Sequence, residues 1–395
     1  MKKQYPKIIN GNLAGIWKTT KLNRITKIIG GGTPDTKQSS YWNGGINWFS
    51  PTEVGKTVYL TKSEKTISQL GLQKSSAKLL PAFKTILFTS RAGIGDVGIL
   101  TEASATNQGF QSLVVNEGTD VYFLYSYSDQ IKKYALKHSA GSTFLEISGK
   151  ELGKMDLSIP SLQEQTAIGS FFRTLDDLLA SYKDNLANYQ SLKATMLSKM
   201  FPKVGQTVPE IRLDGFEDGW EEKKFSKLVK RVTQSSDSDS LPKVEFEDII
   251  SGQGRLNKDI SSKFDNRKGI HFKPGYTLYG KLRPYLNNWL LPKFEGVALG
   301  DFWVFDPNGN DSNFIYYLVQ SSRYQKVAND TSGTKMPRSD WKSVSSTVFA
   351  IPQTIAEQQA IGAYFSNLDN LINSYQEKIS QIETLKKKLL QDMFI

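Results

Sequence analysis

The sequence predicts an α/β (α+β) fold of two mixed α/β domains, each followed by a long helix, with the helices packed on one another. Three observations carry this. The chain is written twice: shifted by 193 residues, Glu164-Gln165 falls on Glu357-Gln358 and Ala167-Ile168-Gly169 on Ala360-Ile361-Gly362, and sixteen of the thirty-eight positions from 164 to 201 are identical. Each copy carries a sustained heptad pattern. The segments ahead of the two copies share a frame of turns, short strands and a helix, but differ in what fills it.

Residues 1–158 make the first domain. Its opening, Met1-Lys2-Lys3-Gln4-Tyr5-Pro6, is basic, but no apolar run follows, so it does not read as a secretory signal. Gly15-Ile16-Trp17-Lys18 opens the frame. Gly30-Gly31-Gly32-Thr33-Pro34 reads as a turn. It is not a phosphate loop, and at Gly55-Lys56-Thr57, which has that motif's tail, Ser50 stands where a glycine is required. Pro81-Ala82-Phe83 leads into a strand, Thr85-Ile86-Leu87-Phe88, and Arg91 follows in a loop. A helix from Tyr122 to His138 ends at Ser139-Ala140-Gly141-Ser142, with the glycine as its stop signal.

The first long helix, 159–201, begins after Ile159-Pro160, because proline suits a helix start and blocks continuation upstream; Pro202 ends it. Its seam is Ile168, Phe172, Leu175, Leu179, Tyr182 and Leu186 at alternating spacings of four and three. Residues 202–218 read as a linker. The second domain, 219–350, repeats the frame: Gly219-Trp220-Glu221-Glu222, then Pro274-Gly275-Tyr276 into Thr277-Leu278-Tyr279, then Arg283, then a helix from Asn313 to Asn329 before Thr331-Ser332-Gly333-Thr334. The second long helix, 351–395, follows Ile351-Pro352, with seam residues Ile361, Phe365, Leu368, Ile372, Tyr375 and Ile379. Lys193 and Lys386 interrupt the seams at matching positions, a device that weakens packing but fixes register. About 40 residues at about 1.5 Å each give a rod of roughly 60 Å. Its apolar stripe must be buried, and the nearest matching stripe is its own copy. A simple helical-hairpin core accounts for the seams, but not for the large unlike segment ahead of each helix.

Composition narrows the function. The 395 residues are 38% hydrophobic and 23% charged, which suits a globular chain. Without cysteine there is no disulfide framework, and with only His138 and His271 there is no multi-histidine metal site. No stretch approaches the roughly 20 apolar residues of a membrane span, so a cytoplasmic protein is expected. The net charge is +11, with 24 basic and 15 acidic residues (+9) in 1–200 against 26 and 24 (+2) in 201–395. Excess positive charge favours a polyanionic partner, because each neutralised phosphate releases counterions.

The candidate contacts follow from base chemistry. Lys281, Arg283, Tyr285 and Asn287 sit within seven residues; arginine reads guanine edges, asparagine reads adenine, and an aromatic packs on sugar or base. Their first-domain counterparts are Arg91 and Asn107-Gln108, with Tyr41 and Asn47 in an aromatic-rich segment. Lys335 and Arg338 are placed to hold phosphates. Each of these residues also fits an ordinary solvated loop. Trp17, Trp42, Trp48, Trp220, Trp289 and Trp303 read as core.

Several of these segments carry a family resemblance. Gly31-Gly32-Thr33-Pro34 followed by Tyr41-Trp42-Asn43-Gly44-Gly45-Ile46-Asn47-Trp48 resembles the opening of a target-recognition domain in the specificity (S) subunits of type I restriction–modification systems. The doubled Ile159-Pro160…Glu164-Gln165…Ile168 and Ile351-Pro352…Glu357-Gln358…Ile361 resemble the starts of that family's two central helices, and Lys281-Leu282-Arg283-Pro284-Tyr285 a recurring element of its second kind of domain. The resemblance spans nearly the whole chain; the lead from Met1 to Gly15 departs from it.

The resemblance implies two target-recognition domains, an antiparallel coiled coil and internal pseudo-two-fold symmetry, each domain reading half of a bipartite site in double-stranded DNA. It implies two methyltransferase subunits docked on the helices, which would space the half-sites, and motor-nuclease restriction subunits. S-adenosylmethionine, ATP and magnesium would belong to those partners, with no cofactor or metal on this chain and no catalytic residue. Two rivals stay open. One is a DNA-acting enzyme with its own site, for which Glu245-Phe246-Glu247-Asp248 could be imagined; against it, the chain lacks both the Asn/Asp-Pro-Pro-Tyr/Phe motif of adenine methyltransferases and a Walker loop. The other is a coiled-coil adaptor.

Overall fold

The computed structural model describes residues 17–91, 93–141, 145–261, 266–330 and 335–394. The lead Met1 to Gly15, Ile16, Ser142 and the turn Thr331-Ser332-Gly333-Thr334 lie outside the described residues. The chain divides into two compact units, 1–183 with 378–395 and 184–377. The division falls inside both long helices, so each unit holds one mixed domain and a stretch of each helix.

In the first unit, strands Thr26–Gly30, Gln111–Val115, Thr85–Phe88, Val97–Leu100 and Tyr59–Leu60 lie side by side in that order, the last pair parallel and the rest antiparallel. All four residues of Thr85–Phe88 are buried, as expected of a central strand covered on both faces. A second sheet sets Trp42–Phe49 between Lys65–Ile67 and Ser104–Thr106, parallel to the latter. Lys18–Lys21 pairs with Asp156–Ile159, so the strand leaving the domain feeds the long helix.

The second unit repeats the plan in other residues. Lys230–Val232, Phe302–Asp306, Thr277–Gly280 and Trp289–Leu290 form one antiparallel sheet. Ser235–Ser236, Gly269–Phe272, Gly296–Ala298 and Lys243–Val244 form another, closed by a parallel pair. Trp220–Lys224 pairs with Val348–Pro352 ahead of the second long helix.

Three expectations need correction. The helix expected from Tyr122 to His138 is two, Val121–Ser126 and Ser128–His138, broken at Tyr127, whose N–H bonds back to Leu124 in a tightened last turn. The helix expected from Asn313 to Asn329 is also two, Ser312–Leu318 and Ser322–Ala328, because Ser321 caps a fresh start by accepting from Tyr324 N–H. Gly31 and Gly32 do not turn the chain. They let it pass where a Cβ would meet Asn107 O at 1.9 Å and Ser76 Oγ at 2.2 Å.

The long helices run Leu162–Lys199 and Ile355–Met393. Each docks on its own domain through the same side chains. Trp17 Nε1 donates to Glu164 Oε1 at 3.0 Å, and Trp220 Nε1 to Glu357 Oε1 at 3.0 Å. Gln165 accepts from Asp120 N–H and donates to Pro160 O; Gln358 does the same with Asp311 and Pro352. Asp120 and Asp311 in turn cap the next helices. Gly169 and Gly362 are glycine because a Cβ would strike those capping aspartates.

Within each unit the two helices run antiparallel. In the first, Lys386 bonds Asp176 and Lys183 pairs with Glu383; in the second, Lys193 pairs with Asp369 at 2.7 Å and Tyr189 lies on Tyr375. The seam lysines therefore meet aspartates of the opposite helix, each aspartate also receiving a tyrosine hydroxyl, Tyr122 or Tyr317. Burial foremost, and then the neighbouring aspartate, push both hydroxyls far above their ordinary range, so they stay donors.

Ile168, Phe172, Leu179, Ile361, Phe365, Leu368, Ile372 and Ile379 are buried, and Leu175, Tyr182, Leu186 and Tyr375 half-buried. The first turns of each seam serve their own domain: Ile168 and Phe172 join Phe123 and Leu157, and Ile361 and Phe365 join Phe314 and Phe349. The doubled Met-Phe caps these cores, Phe394 against Phe123 and Tyr127, and Phe201 against Phe314 and Phe365.

Candidate nucleic-acid interface

In the second unit, strands Thr277–Gly280 and Trp289–Leu290 are joined by an irregular excursion that holds four of the candidates. Arg283 (φ 49°) and Asn287 (φ 55°) both adopt the left-handed conformation on either side of a 3-10 turn, Pro284–Leu286. Neither is glycine, so each conformation costs of the order of 1–3 kcal/mol and must be imposed by its surroundings. Backbone bonds impose it: Arg283 N–H to Pro337 O at 2.7 Å, Leu286 N–H to Arg283 O, Gly252 N–H to Asn287 O and Gly280 N–H to Asn288 O. Pro284 is buried as the anchor. Arg283 and Tyr285 are exposed and Asn287 is half-buried.

Leu282 pairs with Arg338, which brings the segment around Lys335 and Arg338 beside the excursion. Asp301 sits between the two. Arg338 Nη2 lies 2.9 Å and Lys281 Nζ 3.5 Å from its carboxylate. Partial burial pushes the Asp301 carboxyl upward, but the Arg338 bond and the nearby lysine outweigh it and hold the group below its ordinary range. Lys281 and Arg338, expected as DNA contacts, thus both pair with Asp301 beside the loop. Arg283 and Lys335 remain exposed, with no ion-pair partner among the described residues.

In the first unit the candidates come from three distant segments. Ser90 N–H bonds Gly109 O, and a Cβ on Gly109 would lie 3.6 Å from Arg91 Nε, so Arg91 stands beside the turn Asn107-Gln108-Gly109. Asn107 Oδ1 accepts from Gly109 N–H at 2.8 Å, closing that turn. Gln108 is exposed, and its side-chain oxygen accepts from Thr33 of the glycine-rich passage. Thr33 was not foreseen; no local pattern links it to a residue 75 positions away.

Asn47 does not belong to this surface. It is buried, with its amide donating to Thr61 O and Glu102 and its oxygen accepting from Ser63, so nothing is left for a base edge. Tyr41 closes a 3-10 turn, Ser39–Tyr41, and its carbonyl accepts from Ser68 N–H. Trp48, Trp220, Trp289 and Trp303 are core, while Trp17 and Trp42 are half-buried. Among the described residues there is no cluster of three metal-ligating side chains, and no helix long and apolar enough to cross a membrane.

Comparison with known proteins adds an independent line. The type I restriction modification DNA specificity domain matches residues 15–216 and again 219–384. The chain is similar to the type I restriction enzyme MjaIX specificity subunit of Methanocaldococcus jannaschii, at 25% identity over 95% of this chain and 91% of that one. It is similar to the EcoR124I/EcoR124II specificity subunit of Escherichia coli at 32% identity over 43% of each. Its fold is like that of the crystallised S subunit from M. genitalium, with a TM-score of 0.62 over 99% of both chains at 13% identity.

Proposed function

We propose how this chain reads DNA, starting from what it is: it belongs to the type I restriction modification DNA specificity family, as a specificity subunit with two recognition domains. It is a non-catalytic subunit, and the enzymatic activities lie with its partners. Its business is DNA and assembly with the other subunits of the system.

Each recognition domain reads one half of a bipartite site in double-stranded DNA. Two methyltransferase subunits dock along the paired helices, motor-nuclease subunits join them, and S-adenosylmethionine, ATP and magnesium are bound by those partners. The helices act as the spacer between half-sites, and the complex works in the cytoplasm, where its DNA is. The observation that supports this most is the doubled docking module, Trp-Glu-Gln-Gly with a capping Asp, which fixes two unlike loop sets onto one repeated frame. A scaffold repeated with different loops suits two targets.

In the second domain Arg283, Asn287 and Tyr285 face bases and Lys335 a phosphate, with Lys281 and Arg338 as braces. In the first domain Arg91, Asn107 and Gln108 form the reading edge. The test is methylation by the chain assembled with its modification subunits, on DNAs carrying every single-base change in either half. Arg283→Ala is expected to relax one half-site by about 1–3 kcal/mol and Gln108→Ala the other. A loss spread evenly over all sequences, with their ranking unchanged, would make these residues phosphate anchors and defeat the base-reading assignment.

A further inference from the structure

The excursion in the second domain carries more than polar readers. Its tip is apolar and held outward: Tyr285 is 58%, Leu286 38% and Met336 49% exposed. Met336 belongs beside the tip because its neighbour Pro337 accepts the Arg283 N–H. Large side chains on a loop fixed by two left-handed residues and a buried proline are not there through slack packing; the backbone bonds that hold Arg283 and Asn287 also hold Tyr285 and Leu286 out.

The charges around this tip say what covers it. Arg283 and Lys335, exposed and without an ion-pair partner among the described residues, flank it, and the acid nearby, Asp301, is already neutralised by Arg338 and Lys281. An apolar point rimmed by exposed cations suits a stacked polyanion, because phosphates take the rim and base faces take the point. An apolar groove on a protein partner would instead leave Arg283 and Lys335 to be desolvated without partners.

We propose that Tyr285 and Leu286, backed by Met336, form a wedge that enters a base step of the half-site read by the second domain, opening the stack beside the bases that Arg283 and Asn287 contact. The wedge makes the stacking strength of that step part of the recognised sequence, without a hydrogen bond to it. This rests on the proposed reading of the loop as DNA-facing.

The test uses the chain assembled with its modification subunits, without S-adenosylmethionine, on duplexes with 2-aminopurine placed in turn at each position of both half-sites. The wild type is expected to raise fluorescence at one step of one half-site, outside the adenine that is methylated. Tyr285→Ala with Leu286→Ala should lose that rise, and Tyr285→Phe should keep it. Absence of any rise outside the methylated adenine overturns the wedge, as does a rise that survives the double substitution. Failure of the double variant to assemble with the modification subunits overturns it too, by making the tip a protein contact. Arg283→Ala separates the two layers. If neither DNA affinity nor half-site discrimination changes in that variant, the DNA-facing reading itself fails; if either is lost while wild type shows no rise, only the wedge fails.

Discussion

The junctions between domain and helix are made of the same parts, yet among the described residues one has a cation and the other does not. Glu357, buried at the start of the second long helix, accepts from Trp220 and is clasped by Arg212, with Nε at 2.7 Å and Nη2 at 2.8 Å. Glu164, equally buried, accepts from Trp17, but its second oxygen has no hydrogen-bond partner among the described residues. Counting back from the tryptophans, Pro6 matches Pro209 and Ile8 matches Ile211, and Ile9 stands where the linker has Arg212. A buried carboxylate is tolerable when paired and hydrogen-bonded, and costly when not. The acid stands in both junctions, but among the described residues only Glu357 has a base that completes it.

The largest effect that would break this comparison is at Arg212. Arg212→Ala leaves the Glu357 charge buried and unpaired, so unfolding in denaturant should show a loss of about 3–5 kcal/mol. A loss no greater than the roughly 0.5 kcal/mol of an ordinary surface change would mean that the guanidinium is not what stabilises the junction.

A middle-sized effect sharpens the symmetric part. Asp176 and Asp369 each hold a tyrosine and the opposite helix's lysine. Asp176→Asn and Asp369→Asn should each cost about 1.5–3 kcal/mol, the range of a charged hydrogen bond, and should match within error. Markedly unequal costs would show that these pairs, like the glutamates, have diverged.

The smallest effect is at Glu164. Glu164→Gln keeps an oxygen for Trp17 and removes a buried charge that no cation among the described residues pairs, so melting should be unchanged or raised, within about 1 kcal/mol. Glu357→Gln, which strands Arg212, should be clearly destabilising. If Glu164→Gln proves the more damaging of the two, a cation reaches Glu164 after all and the asymmetry is not real.

By itself the sequence determined the duplication, the two long helices and their seams, and the mixed character of the domains. These are periodic or repeated properties, carried by residues a few positions apart. It also placed Arg283, Tyr285 and Asn287 together, because a single continuous loop holds them. Only the tertiary structure decided the rest. Arg91, Gln108 and Thr33 meet because strands far apart in the chain pair; Asn47 is withdrawn because Thr61, Ser63 and Glu102 fold around it; and Lys281 and Arg338 become braces because Asp301 lies between them. Whether a polar side chain is free to read a base depends on which partner reaches it first, and that partner is set by long-range packing, which leaves no local periodicity in the sequence.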